Sequence, residues 1–141
     1  MTAGSRSARV AKRRLRLAVC PGRFAVVRLP ARAALPRWAL SGPFHSITRT
    51  VAELSIVCRE ERVPARVRRE GGFRCLEVEG PLEFDAVGVL ASLAAPLARA
   101  RIPILAVSTF DTDYLFVRQV HLAGAVRALR AAGHVVSESV E

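Results

Sequence analysis

The sequence predicts an α+β protein built in two small halves, and three observations carry that prediction. In the second half the apolar residues alternate between period two and period 3.6 in a fixed order. A charged stretch bearing Pro64 and Gly71-Gly72 separates the halves. Of the 141 residues 51% are hydrophobic, which suffices for one ordinary core or two small ones and excludes a disordered chain.

The elements follow in order. Leu15 to Cys20 and Phe24 to Leu29 are strand-like runs joined by the turn dipeptide Pro21-Gly22, so an early hairpin is expected, ended by Pro30. Pro36, Trp38 and Leu40 suit a short helical turn or an apolar loop. Phe44 to Thr48 and Leu54 to Cys58 read as further strands, and 59–72 as a linker closed by a tight turn at Gly71-Gly72. Phe73 to Glu79 alternates, with Leu76 and Val78 on one face and Cys75 and Glu77 on the other. Apolar residues at 84, 87, 90, 94 and 97 keep helical spacing, which predicts a helix over 84–98 with a departure near Pro96. Ile102 to Val107 and Tyr114 to Val117 are strand runs. Leu122, Ala125, Val126 and Leu129 mark a second amphipathic helix, Gly133 ends it, and Val135-Val136 begins a last strand. The order β-α-β-β-α-β is that of the ferredoxin-like split, an antiparallel sheet with both helices on one face. The expected organisation is a basic disordered tail over 1–14, a first half over 15–64, a linker and turn over 65–72, a second half over 73–137 and a tail over 138–141.

Charge and motifs narrow the function classes. Residues 1–52 hold eleven Lys and Arg and no acid, whereas residues 53–141 hold eleven against twelve acids. A basic half of this kind suits a polyanion, so a nucleic-acid-binding module is one alternative. All but one of the 22 basic residues are Arg, spread along an Ala-, Val- and Leu-rich chain, a pattern that suits a solvated surface better than a binding stripe. The aromatics of Tyr114-Leu115-Phe116-Val117 lack the Lys/Arg-Gly-Phe signature of RNA-binding sheets. Cys20, Cys58 and Cys75 lack C-x-x-C spacing and sit in apolar runs, which predicts reduced thiols and a cytoplasmic protein. The 86–98 stretch is too short to span a membrane, and Arg14, Arg16 and Arg23 interrupt what a secretion signal would keep apolar. His45, His121 and His134 have neither zinc spacing nor a nucleophile beside them, and no Gly-rich phosphate loop occurs, so neither an enzyme, a metal nor a cofactor is expected. Asp111 and Asp113 alone would not supply the six or more oxygens that calcium takes.

The segment Glu79 to Val117 carries the chemistry. It joins a helix start to a polar corner, Ser-Thr-Phe-Asp-Thr-Asp over 108–113. Unpaired amides at a helix start suit a carboxylate and a nearby Asp suits an ammonium, which together suit a small zwitterion. A structural reading stands beside this one: Asp85 as a helix cap, Asp111 and Asp113 as corner stabilisers, and Gly88 as a packing residue.

The stretch EFDAVGVLASLAAPLARARIPILAVSTFDTDYLFV resembles the ACT domain of the subgroup that includes the CASTOR arginine sensors, through its Phe-Asp, Gly, Pro-Leu-Ala and Ser-Thr-Phe-x-x-Asp elements. FHSITRTVAELSIVCREERVP resembles the half-domain that precedes the sensing domain in that family. The resemblance covers about residues 15–137 and implies a tandem ACT-like sandwich, a homodimer that senses a free amino acid at a domain or subunit interface and regulates without catalysing. A ligand-free subunit that regulates an enzyme is the other alternative. The resemblance implies ligand contacts from Glu83, Phe84, Asp85, Gly88 and Val89 on one side and from Ser108, Thr109, Phe110 and Asp113 on the other. Ala86 stands where the arginine sensors carry an acid, which favours a smaller or neutral amino acid over arginine.

Overall fold

The structure, a computed structural model, describes residues 13–138. The expected basic tail, residues 1–14, and the closing tail, residues 138–141, therefore fall almost wholly outside the described residues. The chain forms two compact units, one of residues up to Pro21 with those from Cys75 onward, the other of Gly22–Arg74.

The first unit holds β1 (Arg16–Val19), the end of β5 (Glu70–Val78), α1 (Val89–Arg99), β6 (Leu105–Ser108), β7 (Asp113–Arg118), α2 (Leu122–Ala131) and β8 (Val135–Glu138). From β5 onward the order is the expected β-α-β-β-α-β. The sheet runs β8-β1-β5-β7-β6, with β1 inserted between the first and last strands of that series. β1 pairs antiparallel with β5, Leu17 facing Val78, and parallel with β8, Leu17 facing Val136. The sheet is therefore mixed and not purely antiparallel. The hairpin expected of 15–20 with 24–29 does not form, and the boundary expected near residue 15 lies instead at Gly22. Pro21-Gly22 is a turn signal, but Leu17 and Val19 are buried in the core that the helices of this unit cover.

Both helices cover one face of the sheet. Val89, Leu93 and Leu97 of α1 and Ala125, Val126 and Leu129 of α2 pack on Leu17, Val19, Leu76, Val78, Leu115 and Val117, alternate residues of the strands. Leu93, Leu97 and Leu129 are wholly buried, each worth about 2 kcal/mol of burial. α1 begins five residues later than the apolar spacing predicts. Gly88 caps it with φ 85°, a left-handed conformation that no helix interior accepts, and Phe84 and Val87 before it are exposed.

Pro96 lies inside α1 and has no N–H to give the Ser92 carbonyl one turn back. Buried His134 supplies that donor: its Nε2 lies 3.0 Å from Ser92 O, while its Nδ1 accepts the Leu15 N–H at 3.0 Å. The Leu15 donor fixes the tautomer, because Nδ1 must be the unprotonated nitrogen. His134, which the sequence offers for neither zinc nor catalysis, joins α1 to the entry of β1 and the entry of β8.

The second unit pairs β2 (Phe24–Leu29) with β4 (Leu54–Arg59), and β4 with β3 (His45–Arg49), all antiparallel, around a core of Ala25, Val27, Leu54, Ile56 and Cys58. The start of β5 lies on the other side of β2. Gly71-Gly72 is not the expected turn but part of that strand. Phe24 faces Phe73 and Val26 faces Glu70, so β5 carries one extra residue there, a bulge with Gly72 at φ 73°. The Glu60 carboxylate accepts the Gly72 N–H at 2.8 Å.

Arginines hold the loops of this unit. Arg49 donates to the carbonyls of Ala31 and Ala33, Arg28 to Ala52, and Arg69 to Val63, Pro64 and Val67. Their guanidinium groups are thereby fixed on backbone oxygens by charge-assisted bonds.

Candidate functional site

Two loops of the first unit meet at the mouth of its sheet. One runs from the end of β5 to the first turn of α1, the other is the β6–β7 corner. Leu82 N–H donates to Asp111 O at 2.8 Å, which stitches them together, and the Thr112 hydroxyl donates to Val78 O at 2.6 Å, which anchors the corner to β5. Between them lies an open cleft of about 360 Å³, within the size range of small-molecule sites.

The corner is closed by its own hydroxyls. Thr109 N–H and its hydroxyl both donate to Thr112 O, at 2.8 and 3.1 Å, and Thr112 N–H donates back to Thr109 Oγ1 at 3.2 Å. Ser108 and Asp113 are cross-strand partners, and the serine hydroxyl donates to Asp113 Oδ1 at 2.5 Å. Asp113 Oδ2 has no partner among the described residues.

The opposite wall is the start of α1. Gly88 gives its carbonyl to Ser92 N–H at 2.9 Å. The amides of Val89, Leu90 and Ala91 precede the first residue that has an acceptor inside the helix, and all three residues line the cleft. Among the described residues no side chain caps this terminus. Partial positive charge thus faces the cleft from α1, while Glu83, Asp111 and Asp113 bring carboxylates to its lining and, among the described residues, no Lys, Arg or His lines it. At the rim Phe84 and Phe110 stack with centroids 5.3 Å apart, yet they are 74% and 79% exposed. Val87 and Leu90 are exposed apolar neighbours in the same loop and helix turn. The arrangement offers amide donors, acceptors and an apolar rim, which suits recognition of a small polar molecule.

Of the residues singled out in the sequence, Glu83, Phe84, Gly88, Val89, Ser108, Thr109, Phe110 and Asp113 line this one cleft. Asp85 does not line it, and it caps no helix either, because α1 begins four residues beyond it. Leu82, Leu90 and Ala91 line the cleft and were not foreseen, and Asp111 and Thr112, read as part of the polar corner, line it as well. The shifted helix start accounts for Leu90 and Ala91: with Gly88 as the cap, the open amides belong to the next three residues. Ala86 also lines the cleft, packed against the core. Among the described residues no group of three or more His, Cys, Asp or Glu could hold a metal, and no helix is long and apolar enough to cross a membrane.

The ACT-domain profile matches residues 68–131, and a profile described as an N-terminal domain matches 22–66. The crystal structure of protein Atu0741 from Agrobacterium tumefaciens shares 41% identity, with 92% of this chain and 96% of that chain covered and a TM-score of 0.86. The chain belongs to the ACT-domain family. Protein VC0802 from Vibrio cholerae, of unknown function and described as a possible transport protein, aligns at 21% identity over 92% and 98% of the two chains with a TM-score of 0.73. Aspartate kinase from Clostridium acetobutylicum, described as an allosteric enzyme, aligns at 13% identity with a TM-score of 0.60, over 78% of this chain and 32% of the kinase. At these lower identities the likeness is one of fold. An ACT domain is a regulatory module, and this chain is a regulatory ACT protein of ferredoxin-like fold.

Proposed function

We propose that this ACT protein binds a free amino acid in the cleft between the start of α1 and the β6–β7 corner, and that binding regulates a partner enzyme. The observation that carries the reading is the pairing of opposite polarities across one cleft. The open amides of Val89, Leu90 and Ala91 receive the α-carboxylate, and the unpartnered Asp113 oxygen receives the α-ammonium. Gly88 lets the ligand approach the backbone, and Phe84 and Phe110 receive its side chain. Ala86 on the lining favours a small or neutral side chain, as a member of a CASTOR-like subgroup that does not read arginine would have.

The exposed apolar rim of Phe84, Phe110, Val87 and Leu90 favours a lid from a second copy, giving a cytoplasmic homodimer with ligand at the subunit interface. A ligand enclosed there stabilises the covered arrangement and shifts the population toward it, which is what a regulated enzyme would detect. The arginines engaged with backbone carbonyls weigh against the nucleic-acid alternative, since Arg28, Arg49 and Arg69 are already committed to loops.

Melting curves against the standard amino acids at millimolar concentration test the reading. One amino acid, present at about a hundred times its Kd, adds roughly 2.7 kcal/mol and raises the melting temperature by several degrees. A flat response to all of them contradicts amino-acid binding.

A further inference from the structure

The cleft leaves one reactive pair in the same unit unused. Continuing the β1/β5 register, in which Val19 faces Leu76, places Cys20 directly opposite Cys75. Cys20 N–H donates to Cys75 O at 2.8 Å, so the two form a hydrogen-bonded cross-strand pair. Such a pair holds its Cα atoms about 5.5 Å apart with both side chains on one face, inside the roughly 4.4–6.8 Å that a disulfide bridges. Neither cysteine is in a disulfide, and Cys75 is buried while Cys20 is half-buried. Their place in the chain is equally specific. The first unit gives up the chain at Pro21 and takes it back at Cys75, so the pair brackets the whole of Gly22–Arg74.

We propose that Cys20 and Cys75 form a reversible disulfide under oxidation by hydrogen peroxide, closing a covalent neck at the two ends of the Gly22–Arg74 unit. Cys20 is the attacking thiol, being the more accessible. The Cys75 S–H hydrogen bond holds the Cys20 thiol below its ordinary range, against the opposing effects of burial and of Glu77, whose Oε1 lies 3.8 Å from Cys20 Sγ. Cys75 is pushed the other way, chiefly by that same bond and by burial, and keeps its proton. The Cys20 thiolate attacks one peroxide oxygen, the O–O bond breaks, and sulfenic acid and hydroxide form. The Cys75 sulfur then attacks the Cys20 sulfur as its proton leaves with the sulfenic oxygen as water. Together two thiols and one peroxide become one disulfide and two waters, and a dithiol reductant returns the pair to the free state. Cys58, buried alone in the other unit and pushed up by burial, stays inert. The closed loop spans the entire second unit, so the staple removes freedom chiefly from the unfolded chain.

The test is non-reducing tryptic mapping of the full chain after treatment with a few equivalents of hydrogen peroxide and alkylation in denaturant. The expected product joins peptide 17–23 to peptide 75–99, is about 2 Da lighter than their sum, and leaves Cys58 in peptide 50–59 alkylated. Thiol titration falls from three to one and recovers with dithiothreitol, and the linked chain melts roughly 5–15 °C higher. Cys75→Ser removes the resolving thiol and lets Cys20 proceed to sulfinic acid, whereas Cys58→Ser leaves the linkage intact. A wild-type Cys20 that overoxidises while Cys75 stays free overturns the proposal, as does a disulfide between chains or a chain inert to peroxide. A linked chain with an unchanged or lower melting temperature overturns the stapling role.

Discussion

The two units treat their polar groups in opposite ways. In Gly22–Arg74, arginines and Glu60 reach back to the main chain, and the loops are closed by side chains of the same unit. In the other unit the backbone is served just as thoroughly away from the cleft, by His134 and Thr112, but the start of α1 and Asp113 are left with donors and an acceptor unspent. Opposite polarities thus face each other across one cleft of that unit, and the proposed ligand site rests on that arrangement. The difference separates residues that hold the structure from residues proposed to hold a ligand.

Breaking the supported side of that contrast has the largest expected effect. His134→Ala orphans the Leu15 N–H and the Ser92 carbonyl together and costs about 3 kcal/mol, read as a lower denaturant midpoint; a loss below about 1 kcal/mol contradicts the bridging role. Adding Pro96→Ala restores an amide donor to Ser92, so it recovers about 1 kcal/mol more in the His134→Ala background than in the wild type. Additive effects in that double-mutant cycle contradict the coupling. Glu60→Ala removes the partly buried carboxylate from the Gly72 amide and costs about 1–2 kcal/mol by the same measurement. Arg49→Ala, at the exposed end of β3, costs about 0.5–1 kcal/mol. Asp113→Ala changes stability least, by about 0.5 kcal/mol or less, because only Ser108 loses a partner and Ser108 is itself exposed. An Asp113→Ala protein destabilised as much as His134→Ala would move Asp113 to the supported side and erase the contrast.

The sequence revealed local periodicity faithfully and long-range pairing poorly. Phe24 to Leu29 matches β2, and Leu54 to Cys58 falls one residue short of β4, because short apolar runs between turn signals suit a buried strand. The partner of β1 was hidden. Pro21-Gly22 speaks for a hairpin locally, while parallel pairing with β8 depends on residues more than a hundred positions away. Phe84 and Val87 mimic helical spacing although both are exposed, and only the backbone at Gly88 shows that the helix starts later. The chemical groups of the cleft were easier to read than its walls. Carboxylates, a glycine and a hydroxyl-rich corner stand out in a sequence, whereas Leu82, Leu90 and Ala91 are ordinary apolar residues until the fold brings them to one place. His134 was unreadable for a similar reason, since its purpose comes from Pro96 one helix away.

The central claim is that the open amides at the start of α1 and the Asp113 carboxylate hold the two ends of one free amino acid. Isothermal titration of the amino acid that most raises the melting temperature, against wild type and Asp113→Ala, tests it directly. The account predicts saturable heat from the wild type and at least a tenfold weaker affinity in Asp113→Ala at nearly unchanged stability, the loss of one charge-assisted contact. Equal affinity in the two proteins would contradict it.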